Sequence, residues 1–280
     1  MKIIKNLIDD KERAFYNSKN VSFDNIVIDG PADGESAFKE CSNIEVKNSK
    51  LHLRYPFWHN RNLTIENSTM YKTTRAALWY DQNVIVRNVS SRGIKAFREC
   101  KNVCVENSRF ISPEIFWNIN KLSVKSSRIE GFYAFFKCKN VEVIDTKFEG
   151  KYSFQYTENL YIKNSVLKTK DAFWHTKNVL VENCIVEGEY LGWYSDGLTL
   201  KNCTIKGTQP LCYAKRLKIL DCKFENCDLA FEYSDVNGNI IGSIDSIKNP
   251  LSGELRFSIK PREIIIDEND RSKGSFRLKY

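Results

Sequence analysis

Apolar residues recur in this chain on a short rhythm and a long one. The short rhythm alternates, as in Ile44/Val46, Leu63/Ile65, Val103/Val105, Val141/Val143, Val179/Val181 and Leu198/Leu200. Alternation with period two marks a strand with one buried face. The long rhythm is a phrase, Asn-Val-x-Val-x-Asn-Ser. Its first residue, the anchor, falls at Asn20, Asn43, Asn62, Asn83, Asn102, Lys121, Asn140, Asn159, Asn178, Gly197 and Arg216. The first steps are 23, 19 and 21 residues, and from Asn83 onward every step is 19. Five places after the anchor comes a second turn residue, such as Asn67, Asn88, Asp145 or Asn202. Asparagine tolerates left-handed backbone and bonds nearby main chain. Eight places after it an apolar residue opens a second strand (Phe110, Ile129, Phe148, Leu167). Ten places after it stands glycine in six copies: Gly30, Gly93, Gly131, Gly150, Gly188 and Gly207. That predicts a corner of positive φ. A third strand then leads to the next anchor.

Each repeat is therefore three short strands and three corners. One coil cannot bury its apolar side, whereas stacked coils can. The pattern predicts an all-β, single-stranded, right-handed parallel β-helix of about 11 coils of about 19 residues. Parallel crossovers favour that hand, and the unequal sides differ from the equal six-residue units of a left-handed helix. Residues 1–268 are expected to form one domain, with an N-terminal cap at 1–18, coils over 19–237 and a C-terminal cap at 238–268. Residues 269–280 read as a polar tail.

The third strand carries the candidate chemistry. Five places before the anchor lies a column of Phe38, Phe57, Phe97, Phe116, Phe135, Phe154 and Phe173, read as core. Four places before it all five tryptophans fall in one column: Trp58, Trp79, Trp117, Trp174 and Trp193, with Lys39, Arg98 and Gln155 between them. Neighbours in a strand point to opposite faces, so the indoles are expected to face out if the phenylalanines face in. The next column, three before the anchor, is polar and aromatic, with His59, Tyr80, Glu99, Tyr156, His175, Tyr194 and Tyr213. Five exposed indoles exceed the apolar patch a monomer ordinarily shows. Three arrangements answer this. An oligosaccharide covers the strip, with Trp58, Trp79, Tyr80, Trp117, Trp174, His175, Trp193 and Tyr194 as binding residues. Or copies of the chain join along it as a homo-oligomer with no catalytic role. Or a twisted strand tucks the indoles away.

Composition narrows the rest. The 280 residues carry a net charge of +8, but Lys and Arg are interspersed with Glu and Asp. No clustered basic surface points to nucleic acid. No stretch is apolar enough to span a membrane, and charges interrupt the first ten residues, so no signal peptide is visible and a cytoplasmic protein is expected. Nine cysteines without CxxC spacing and only three histidines give no zinc pattern, and no metal or cofactor is expected. Cys184, Cys203 and Cys222, six places after successive anchors, read as stacked buried thiols.

Several segments also resemble a known family. They include Tyr55-Pro56-Phe57-Trp58, Ala76-Ala77-Leu78-Trp79-Tyr80, Asp171-Ala172-Phe173-Trp174, Gly188-Glu189-Tyr190-Leu191-Gly192-Trp193 and Phe231-Glu232-Tyr233-Ser234. Over nearly its whole length the chain is similar to an uncharacterised bacterial family of single-domain β-helix proteins, a domain of unknown function grouped with the pectate-lyase-like superfamily. The resemblance implies the right-handed fold and no particular activity. An enzyme of that superfamily would be a polysaccharide lyase or a glycoside hydrolase. This sequence has no Gly-His-Gly segment and no aspartate cluster in adjacent coils. Arg98 beside Glu99 is the candidate lyase-like base. Glu99 and Glu114, in consecutive coils, are the candidate for the ~5–10 Å carboxylate pair of a hydrolase.

Overall fold

A computed structural model describes residues 1–32 and 34–280. Two compact units, Met1–Val141 and Glu142–Tyr280, are each built from the same coil. Each is an all-β parallel β-helix of the right-handed kind, as the periodicity predicted.

From Asn20 to Gly197 the first side of each coil is a six-residue strand that begins just before the anchor. In the first unit Val21 pairs with Ile44, Leu63 with Val84, and Val103 with Leu122. In the second, Leu160 pairs with Val179 and Val179 with Leu198. Every one of these ladders is parallel, and the anchor-to-anchor step sets the register, 23 and 21 residues for the first two pairs and 19 for the others. On the second side Phe110 pairs with Ile129, and in the second unit Phe148 pairs with Leu167. Residues of one column thus stack about 4.8 Å apart along the coils, and identical side chains meet.

This stacking explains the asparagines. Every anchor from Asn20 to Arg216 has positive φ, as does every residue five places later. The side-chain amides then bond one another from coil to coil. Asn62 Nδ2 donates to Asn43 Oδ1 at 2.7 Å and Asn83 Nδ2 to Asn62 Oδ1 at 2.8 Å. The corners are therefore satisfied by their own column. The column six places after the anchor works in the same way inside the coil. Ser127 Oγ donates to Lys125 O at 2.7 Å and accepts the Ser108 N–H at 3.1 Å. Cys184 takes the same station, accepting the Ser165 N–H at 3.4 Å and donating to Glu182 O at 3.1 Å. The cysteine column continues a serine ladder, and all nine thiols are free.

The expected phenylalanine column is the core. Phe38, Phe57, Phe97, Phe116, Phe135, Phe154 and Phe173 are all buried. Ring centroids are 5.1 Å apart for Phe38–Phe57, 4.9 Å for Phe116–Phe135 and 5.3 Å for Phe154–Phe173.

Two expectations are corrected. Of the column glycines, Gly93 and Gly131 lack positive φ. Their requirement is steric, because a Cβ on Gly93 would stand 1.7 Å from Thr74 O and one on Gly131 would stand 2.3 Å from Ser112 O. The coils approach too closely there for any side chain. The coil count also rises. Among the described residues the first side holds fifteen strands rather than eleven. The additional ones are Lys2–Lys5 in the expected N-terminal cap, Asp235–Ile240 across the expected start of the C-terminal cap, Ser252–Phe257 within it, and Phe276–Lys279 in the expected tail. Lys2 pairs with Val21, Val236 with Gly253, and Gly253 with Phe276. Near the C-terminus the step leaves 19 and the asparagine anchor disappears, so periodicity no longer marks the coils.

Candidate functional site

The third side begins from backbone conformation. The residue three places before the anchor has φ between 53° and 59° in every coil from Glu40 to Tyr213. A repeated left-handed residue sends its side chain out at the same angle on each level, so rings in that column stack. In the first unit His59 and Tyr80 lie 4.9 Å apart with planes 7° apart. In the second unit Tyr156, His175, Tyr194 and Tyr213 form a continuous stack with spacings of 5.0, 5.0 and 4.9 Å. Tyr233 follows 5.8 Å from Tyr213. There the Arg271 guanidinium sits 4.5 Å over the Tyr233 ring, and Tyr233 Oη donates to Asn269 O. Tyr80, Tyr156 and Tyr194 keep 41–45% of their surface exposed, which makes this the outermost column.

The tryptophans lie beside it and are half-buried. Trp58 stacks on Trp79 at 5.9 Å, and Trp174 on Trp193 at 5.4 Å with planes 4° apart. Three indoles reach across the third side and donate to a carbonyl 16 residues ahead. Trp117 bonds Tyr133 O, Trp174 bonds Tyr190 O and Trp193 bonds Gln209 O, at 2.6, 2.7 and 2.8 Å. Strict alternation put the indoles outside. The backbone departs from it, because Phe116, Phe154 and Phe173 are left-handed too. A left-handed residue on either side turns the indole back along the coil.

Charged side chains border the strip. Arg98 lies in the tryptophan column, its guanidinium 4.2 Å from the Trp117 ring. It is paired with Glu114, which also lies 3.7 Å from Lys95. Glu99 accepts from Asn118 Nδ2 at 2.6 Å. Glu99 and Glu114 are thus each held by a separate partner. In the second unit Lys170 bonds Glu189 at 2.7 Å and caps the Tyr190 ring at 5.1 Å. Nearby, burial raises the Asp171 carboxyl above its ordinary value.

Of the residues named from sequence, Trp58, Trp79 and Tyr80 come together in one stretch, Arg98, Glu99, Glu114 and Trp117 in the next coils, and Trp174, His175, Trp193 and Tyr194 in the second unit. Sequence reasoning passed over Tyr156, Tyr213 and Tyr233 as site residues. For Tyr156 and Tyr213 the signal was the column three before the anchor, which carries the ring stack, whereas Tyr233 lies beyond the last anchor, Arg216.

A family model described as "Protein of unknown function (DUF3737)" matches residues 2–279. The chain belongs to that family. None of the curated proteins matches it. Several solved structures are similar to this DUF3737 chain in structure and share little of its sequence. A tailspike protein double mutant of E. coli bacteriophage HK620 is 9% identical over 92% of this chain and 71% of its own, with a TM-score of 0.46. The catalytic domain of a GH87 α-1,3-glucanase in complex with nigerose is 8% identical over 99% of this chain, with a TM-score of 0.44. The DUF3737 chain spans 63% of that domain's length. PfbA, a surface adhesin of Streptococcus pneumoniae, is 8% identical over 94% and 85%, with a TM-score of 0.41.

Proposed function

We propose that this DUF3737 protein binds carbohydrate along the aromatic third side, with the densest site over Tyr156, His175, Tyr194 and Tyr213. The observation that carries the reading is the column of exposed ring edges repeating at about one coil. Rings stacked face to face cover one another's faces. What they present outward is a row of phenol hydroxyls and an imidazole, each able to donate or accept. A polyhydroxylated chain lying along the coils meets one such edge at roughly each sugar ring, at the ~4.8 Å step of parallel strands. Trp174 and Trp193 floor the strip, and Lys170, Glu189 and Tyr190 border it. Binding here rests on hydrogen bonds from ring edges rather than on sugars laid flat over indoles, because the indole faces are already used.

Tryptophan fluorescence titrated with a panel of neutral and acidic oligosaccharides tests this, since Trp193 touches Tyr194 and Tyr213 edge-on. A saturable response is expected, and Tyr194→Ala should weaken it roughly threefold to tenfold, the worth of one neutral hydrogen bond. If no glycan changes the fluorescence while sedimentation finds an oligomer that Tyr194→Ala dissociates, the strip is an interface between copies and the carbohydrate reading fails.

A further inference from the structure

Buried donors without an acceptor gather in one part of the third side. Trp58 Nε1, Trp79 Nε1 and Arg98 Nε are each shut from solvent with no hydrogen-bond partner. They occupy one column in three consecutive coils, since Phe57, Leu78 and Phe97 just before them pair in register. In the same column Trp117, Trp174 and Trp193 all have a carbonyl acceptor. The difference begins in the backbone. The residue before each satisfied indole is left-handed (Phe116, Phe173, Gly192), whereas Phe57 and Leu78 are extended. An indole following an extended residue does not reach the carbonyl of the coil ahead.

A buried donor left unpaired weighs against the fold until an acceptor arrives. Sugar hydroxyls bring donors as well as acceptors, whereas a carboxylate or sulfate brings acceptors alone. The charge around these coils favours the same class. Glu35, Glu40, Glu99 and Glu114 are engaged by Arg54, Tyr16, Asn118 and Arg98. Arg75, exposed on the coil of Trp79, has no ion pair among the described residues.

We propose that the stretch from Trp58 to Arg98 is a subsite for oxyanion-bearing sugar units, with the Trp58 and Trp79 indole N–H groups as donors and Arg75 as the counter-charge. The proposal rests on the carbohydrate reading and narrows it. Both indoles are half-exposed, while their N–H groups are shut from solvent. The last side-chain torsion of an aromatic residue is broad and roughly two-fold, so turning the ring over about it brings the N–H to a ligand on the exposed side.

The test uses three probes of equal length: an oligouronate, its methyl ester, and an oligosaccharide that carries sulfate esters and no carboxylate. Binding is followed on ¹⁵N-labelled full-length protein through the indole N–H resonances, assigned with Trp58→Phe and Trp79→Phe. At least one anionic probe should move the Trp58 and Trp79 resonances downfield and bind roughly tenfold tighter than the ester, the worth of a charge-assisted bond. Which anion does so distinguishes carboxylate from sulfate. Arg75→Gln should remove that advantage and leave the affinity for the ester unchanged. If the ester binds as well as both anions, or only Trp174 and Trp193 respond, the oxyanion subsite is refuted while carbohydrate binding stands. If no probe binds, both fall.

Discussion

Two stretches of the third side use the same residue types on different backbones. Around residues 57–98 the side is a short parallel ladder, with Phe57, Leu78 and Phe97 extended and in register. Around residues 154–213 it is a chain of left-handed turns, with positive φ at Phe154, Phe173, Gly192 and Leu211. The phenylalanines are buried in both. The next columns diverge. In the left-handed stretch the indoles find carbonyls, and the small residues two before the anchor close on their own turn. Thr176 Oγ1 donates to Phe173 O at 2.9 Å and Ser195 Oγ to Gly192 O at 2.7 Å. In the extended stretch the same column holds Asn60 and Asp81, both fully buried. Asp81 Oδ1 accepts the Asn60 N–H at 2.7 Å and Asn60 Oδ1 accepts the Cys41 N–H at 2.8 Å. Asp81 Oδ2 and Asn60 Nδ2 have no partner. A column address fixes which residues meet, and backbone conformation decides whether their polar atoms are satisfied.

The largest expected effect follows from Asp81. Burial lifts its carboxyl to about 8, against an ordinary 3.8. The folded protein therefore keeps the proton up to about pH 8, while the unfolded chain releases it near pH 4. The stability held with that proton is full below pH 4, falls as pH rises toward 8 and is level above it. Over that window the loss is on the order of 5 kcal/mol. Asp81→Asn should flatten the slope, leaving the variant more stable than the wild type at pH 8 and similar to it near pH 4. Urea midpoints across pH measure this. Thr176→Ala, in the left-handed stretch, should leave the slope untouched. A wild-type slope unchanged by Asp81→Asn would mean that another group carries the titration.

Truncating the core tests both stretches together. Phe97→Ala and Phe173→Ala should each cost about 3–5 kcal/mol, as for a buried phenylalanine elsewhere. Glycine then separates the backbones. At extended Phe97, glycine should be less stable than alanine by about 0.5–1 kcal/mol. At Phe173, with φ 63°, glycine should be more stable than alanine by ~1 kcal/mol, because only glycine enters that region without penalty. The same sign at both positions would show that the two sides share one backbone.

These contrasts mark how far the sequence could be read. The parallel register was legible because Val, Ile and Leu alternate beside each anchor and the step of 19 repeats. The phenylalanine column was legible because seven aromatic residues at one address fill a coil interior. The glycine column was found, and Gly30, Gly188 and Gly207 hold the expected positive φ, but at Gly93 and Gly131 the cause lay in the distance between coils, where an added Cβ would meet Thr74 O and Ser112 O. For the tryptophans, alternation did not give their partial burial or the carbonyls that Trp117 and Trp174 reach, since it holds for extended residues and Phe116 and Phe173 are left-handed. No residue type at those positions announces that conformation, because phenylalanine is an unusual choice for it. The terminal coils escaped for a different reason. They keep parallel pairing through backbone bonds, which any residue supplies, and lack the asparagine anchor that made the others visible, although Asn6 still continues the second-corner ladder from Asn25.

The smallest effect gives the most direct test of the indole difference. Trp79 and Trp174 are each half-buried, and each stacks on a second indole. Replacing either with phenylalanine removes a similar area of ring. The hydrogen-bond consequence is opposite. Trp174→Phe takes the donor from a 2.7 Å bond to Tyr190 O and strands that carbonyl. Trp79→Phe removes a donor that had no acceptor. The packing loss being alike, Trp174→Phe should cost ~1 kcal/mol more than Trp79→Phe, the net worth of a neutral hydrogen bond. Chemical denaturation of the two variants without ligand measures the difference. Equal losses would place an acceptor within reach of the Trp79 N–H, and the extended stretch would then hold no unpaired indole for a ligand to satisfy.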